Sequence, residues 1–190
     1  MTQPSTPVLV GSESRAALFT WKRAIAIALG ALVVAISAQV SIDLPGNPVP
    51  ITLQGLAVLL VGGTLGARAG AVALVAYLVA GMSGLPVFSG GRAGPGWLLG
   101  PTGGYLLAFP VGAAVTGAIA RRHDLVRCFL AALAGMFVIH AGGIDQLWIL
   151  SGGLSLPFRA TAPLIAADLV KVVIATLLVS RLRAGTSPRA

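Results

Sequence analysis

Two ionisable residues, Asp168 and Lys171, stand inside an apolar stretch near the C-terminus, and they are the only charged residues between Thr161 and Ser180. A spacing of three puts both on one face of a helix, where their side chains are neighbours. A carboxylate accepts hydrogen bonds from N–H groups, and an ammonium holds an anion. Such a pair suits a small solute that carries N–H donors and an acidic group. The alternative is a mutual salt bridge that locks helix packing. Because a buried ion pair is a costly way to gain stability alone, the binding reading is favoured.

A third charge belongs with them. Arg92 lies in a stretch from Ser83 to Gly104 dense in glycine and proline, with Phe88 before it and Trp97 after it. Glycine and proline permit tight backbone paths and close approach to a ligand, although they also suit an ordinary connection. A guanidinium beside aromatic rings is suited to bidentate contact with a carboxylate.

The elements that hold these residues must be membrane helices. The chain has 190 residues, of which 56% are hydrophobic and 9% charged, and its mean hydropathy is +0.93. At about 20 apolar residues per spanning helix, the length accommodates about six spans. The apolar runs place them at 22–40, 50–65, 68–84, 103–120, 127–149 and 162–182. From Ile51 to Gly84 the chain is apolar almost without interruption. One helix of that length would measure about 50 Å against a bilayer core of about 30 Å. Two short spans with a turn near Gly66 to Arg68 are expected instead. Gly62, Gly66 and Gly70 recur at every fourth residue; close helix approach is one use for them and the turn is the favoured one.

The expected fold is therefore all-α, a polytopic six-helix membrane bundle. Residues 1–20 are read as a mobile cytoplasmic tail, 21–183 as the membrane domain and 184–190 as a second cytoplasmic tail. With both termini in the cytoplasm, every lysine and arginine outside the spans falls on that side except Arg92 and Arg159. This is the bias expected of membrane topology, so the net charge of +8 reads as orientation in the cell membrane and not as a nucleic-acid footprint. The segment from Arg15 to Ala38 imitates a signal peptide, but the apolar pattern continues into further spans. Thr161 and Pro163 suit the first turn of the sixth helix, which puts Asp168 and Lys171 roughly 10–14 Å inside its outer end.

Other chemistry finds less support. Cys128 is the sole cysteine, so neither an intrachain disulfide nor a thiolate metal site can form, and no cofactor is called for. No glycine-rich turn ends in Lys-Ser or Lys-Thr, so ATP hydrolysis would need another subunit. Gly81-Met82-Ser83-Gly84 and His140-Ala141-Gly142-Gly143 resemble the serine and histidine motifs of rhomboid proteases. That reading leaves Asp168 and Lys171 without a role; otherwise Ser83 ends a helix and His140 is a lone histidine in the fifth span. His123 and Asp124 fit a solvated inner loop, and Asp145 with Gln146 fits a capping or interfacial role.

Three blocks stand in a recognisable order: Val49-Pro50-Ile51-Thr52-Leu53-Gln54, Gly84-Leu85-Pro86-Val87-Phe88 and Leu99-Gly100-Pro101-Thr102-Gly103-Gly104-Tyr105-Leu106. With Asp168-Leu169-Val170-Lys171 after them, the chain from about residue 22 to 182 resembles the BioY family, biotin-binding S components of energy-coupling factor transporters. The resemblance implies a six-helix bundle that binds biotin near the outer face. It further implies that Asp168 accepts from the ureido N–H groups while Lys171 and Arg92 hold the valerate carboxylate, with Gln54 and Tyr105 as further site residues. Its partners would be a transmembrane T component and two ATP-binding subunits. Ala24, Ala28, Ala31 and Ala35 in the first span would offer a docking face or serve internal packing. Ala108, where the family's pattern has glycine, and the polar Asp145-Gln146 are departures that bear on packing. A proton- or ion-coupled carrier for another small organic anion is the competing function.

Overall fold

A computed structural model describes residues 10–120 and 124–186, with side chains for 20–120 and 124–184. Residues 1–9 and 187–190 of the expected tails, and Arg121, Arg122 and His123 of the inner loop, lie outside the described residues.

Among the described residues there are six substantial helices: α1 Val10–Gln39, α2 Gln54–Leu65, α3 Ala67–Met82, α5 Gly103–Ile119, α6 Leu125–Ser151 and α7 Ser155–Thr186. A four-residue helix, α4 Gly96–Leu99, lies in the loop before α5. Among the described residues, α1, α6 and α7 are long and apolar enough to cross a bilayer, and α2, α3 and α5 are shorter apolar helices. Helix α1 begins twelve residues before the expected first span, and α7 takes in about two turns ahead of the expected sixth.

The chain is mostly helical, as expected, with one short exception. Ser41–Ile42 (β1) pairs antiparallel with Ile51–Thr52 (β2), Ser41 opposite Thr52, so the segment assigned to the start of the second span is a short strand, and α2 begins only at Gln54. Asn47 anchors this hairpin, donating from Nδ2 to the Ala160 carbonyl of α7 at 2.9 Å and accepting from Val49 N at 3.0 Å. The proline-rich sequence around it lacks the donors a helix would need.

The turn expected near Gly66 is present. Gly66 has φ +84°, which ends α2 and lets α3 start at once. Gly62 and Gly70 have the other use considered for them: a Cβ on Gly62 would meet the Ala113 backbone, and one on Gly70 would meet Gly62 Cα at 2.9 Å. Backbones of α2, α3 and α5 thus approach at small residues, as membrane helices do.

Apolar burial divides the molecule into an inside and a lipid face. Val58, Leu59, Leu74, Tyr77, Phe109, Met136 and Leu147 fill the core, whereas Ile36, Phe137, Ile149 and Val170 point outward. Exposed side chains of that size are stable only against hydrocarbon or another protein. The charged residues of α7 face the other way: Asp168 is 7% exposed and Lys171 8%, as the cost of an ion in lipid demands.

Candidate functional site

Helices α2, α5 and α7, the β2 segment and the outer loop converge on one cavity. Its wall is apolar at Val49, Phe88, Leu106, Phe109 and Leu164, and polar at Thr52, Gln54, Arg92, Tyr105, Asp168 and Lys171. All five residues singled out from the sequence therefore line one space. Apolar walls with a few placed polar groups are what a small-molecule site requires.

Lys171 Nζ donates to Asp168 Oδ1 at 2.5 Å, so the two are partners as well as lining residues. The other carboxylate oxygen, Oδ2, lies 2.9 Å from His140 Nε2 on α6. That contact is at hydrogen-bond distance, but the geometry does not complete a hydrogen bond. Nothing in the local sequence signals it, because His140 is 28 positions from Asp168 and only the packing of α6 on α7 joins them. His140 also stands edge-on to the Tyr105 ring, centroids 6.0 Å apart.

Arg92 is set by the loop. Phe88 and Arg92 pair as an isolated antiparallel bridge, and Gln39 at the end of α1 clamps this turn, donating to the Phe88 carbonyl at 3.3 Å and accepting from Gly91 N at 3.0 Å. The guanidinium then sits 4.7 Å from the centroid of the Trp97 ring, the aromatic contact its neighbours in sequence suggested. A guanidinium held against an aromatic ring can still donate from its N–H groups to an anion.

The neutral polar residues form one chain of three side chains and one pair. Gln54 Nε2 donates to Tyr77 Oη at 2.7 Å, Tyr77 Oη donates to the Val87 carbonyl at 3.2 Å, and Thr52 Oγ1 donates to Gln54 Oε1 at 3.2 Å. Tyr77 and Thr52 were not legible from sequence. Tyr105 Oη is 3.0 Å from Thr161 Oγ1. The Tyr105 ring fits because residue 143 is glycine: a Cβ there would meet the ring at 2.1 Å. Of the departures noted, Gln146 ties α6 to the outer loop by donating to the Leu99 carbonyl at 3.3 Å, and Ala108 packs against Gly142.

No hydrogen bond joins Ser83 to His140. Ser83 Oγ donates to the Val79 carbonyl one turn back on α3 at 2.7 Å, and His140 faces Asp168. The arrangement is not that of a serine nucleophile and its base.

A multi-helix membrane bundle with a largely apolar, ion-bearing cavity is the architecture of a solute-binding transport protein. The family model described as the BioY family matches residues 12–187, and the chain belongs to that family. The biotin transporter BioY of Rhizobium etli is 40% identical over 159 residues, covering 78% of this chain and 85% of that protein. The biotin transporter BioY of Rhodobacter capsulatus is 41% identical over 175 residues, covering 84% and 91%. Among solved structures, the S-component for biotin from an ECF-type ABC transporter superposes with a TM-score of 0.80 at 26% identity, covering 87% of this chain and 92% of that one. The chain is thus a multi-pass membrane transport protein and not an enzyme. Family membership gives no support to the ion-coupled carrier or to the protease.

Proposed function

We propose that this chain is the membrane subunit that binds biotin at the outer face and delivers it inward together with a transmembrane T component and two ATP-binding subunits. The observation that carries this reading is one acid and two cations, Asp168, Lys171 and Arg92, on the wall of a single largely apolar cavity in a member of the BioY family. Biotin matches that wall end to end. Its ureido N–H groups suit Asp168, its carboxylate suits Lys171 and Arg92, and its thiophane ring and alkyl chain suit Phe88, Leu106 and Phe109. Gln54 and Tyr105 complete the polar lining, and no cofactor takes part.

In the membrane, α1, α2, α3, α5, α6 and α7 act as six spans with both termini in the cytoplasm. Residues 21–183 form the membrane domain. The short helices are tolerable because their ends are covered by protein. Of the alanines of α1, Ala24 and Ala28 are exposed and are the face for the T component, while Ala31 and Ala35 pack against the core.

Uptake of labelled biotin into vesicles tests the energy source. Co-reconstituted with a T component and ATP-binding subunits, the protein should accumulate biotin on addition of ATP and be indifferent to an uncoupler. Uptake that collapses with the proton gradient in vesicles lacking ATP-binding subunits would overturn the reading.

A further inference from the structure

His140 faces the site without lining it: it is absent from the cavity wall, yet its Nε2 lies 2.9 Å from the Asp168 oxygen that Lys171 does not hold. The side chain is largely buried, and neither ring nitrogen makes a full hydrogen bond among the described residues; Nε2 has the Asp168 oxygen within reach, and Nδ1 is without a partner. The charged and titratable groups that face it are Asp168 and Lys171 on α7 and Tyr105 on α5, with Arg92 across the cavity. Helix α2, which packs on the same region, contributes none.

We infer that His140 is a positioning residue for ligand binding, donating from Nε2 to Asp168 Oδ2 so that the carboxylate presents Oδ1 to the cavity. The inference rests on the biotin reading above. A ligand that draws Lys171 toward its own carboxylate removes the partner of Oδ1 and leaves that oxygen for the ureido N–H. Asp168 then keeps its orientation only if Oδ2 stays held by a group that does not move. His140 is that group, because its ring is packed edge-on against Tyr105. Of the two ring nitrogens only Nε2 has an acceptor at hydrogen-bond distance among the described residues, which favours the tautomer whose proton is on Nε2, since an N–H buried without an acceptor carries the full cost of desolvation.

Equilibrium titration of labelled biotin onto the purified full chain tests this with His140→Gln and His140→Leu. Gln carries an amide donor the same number of bonds from Cβ as Nε2, and Leu fills the space without a donor. The expected result is roughly 5- to 100-fold weaker binding for H140L and less than about threefold for H140Q. In an Asp168→Asn background the difference between the two should vanish. Equal losses in both variants, or wild-type affinity in H140L, would overturn the inference.

Failure of the wild type to bind biotin would instead sink the proposed function. Should H140L not fold, nitrogen NMR of the wild type labelled at its two histidines, with His123→Ala for assignment, decides the matter. A proton on Nε2 supports the inference, and a proton on Nδ1 contradicts it.

Discussion

Lys171 Nζ and Asp168 Oδ1 are bonded to each other one turn apart on α7 while both groups line the cavity. The two readings open at the level of sequence, a structural ion pair and a binding pair, are therefore not exclusive. In the proposed binding of biotin the ligand enters by exchange: its acidic end competes with Asp168 for Lys171, and its N–H groups compete with Lys171 for Asp168. Exchange of this kind favours a solute that carries both functions, because one carrying only one leaves a buried charge unpaired.

Removing one partner should cost more than removing both. Lys171→Met or Asp168→Asn alone leaves a group of low exposure without its counter-charge, a loss of about 3–5 kcal/mol for a buried pair. The double variant D168N/K171M should recover most of that stability and none of the binding. Thermal unfolding in detergent beside a biotin titration separates the two effects.

Arg92 contributes through shape as well as charge. Arg92→Lys keeps a cation but loses the planar fork and the stack on Trp97, so binding should weaken by about tenfold, and Arg92→Ala by more. Trp97→Ala should give a smaller loss, about two- to fivefold, from the cation–π contact alone. Equilibrium dialysis with labelled biotin measures all three.

Gly143 is a packing requirement for Tyr105. Gly143→Ala drives a Cβ into the ring and should destabilise by about 1–3 kcal/mol while displacing the Tyr105 hydroxyl from Thr161. Gly153→Ala, where no atom lies within 4 Å of the added Cβ, is the control and should leave the unfolding midpoint within about one degree.

Gln54 is held from both ends of its amide, by Tyr77 and by Thr52. Tyr77→Phe removes the acceptor and leaves the amide N–H unpaired inside the protein, a cost of about 1–3 kcal/mol. Because Tyr77 does not line the cavity, affinity should fall less in Y77F than in Gln54→Leu. Comparing titrations of the two variants checks the order.

What the sequence reveals about this protein follows from what is local. Apolar runs set the six main helices, Gly66 sets the turn between α2 and α3, and the charges inside apolar stretches single out Asp168 and Lys171. Arg92 stands out against the topology bias, and its stack on Trp97 is short in sequence. The hairpin of Ser41 to Thr52 escapes notice because its strands are two residues each, too short for an alternating pattern to emerge. His140 escapes for a different reason. Its meaning comes from the crossing of α6 over α7, and a single histidine in an apolar helix has no pattern around it. The glycines at 62 and 70 show the same limit, since a small residue records that something is close without saying what.

Binding of biotin to the purified chain, in the absence of ATP and of any partner subunit, tests the central claim most directly. The account predicts saturable binding at one biotin per chain, lost or weakened at least about tenfold in both Lys171→Ala and Asp168→Asn. Affinity unchanged in both variants, or no binding by the folded wild type, would contradict it.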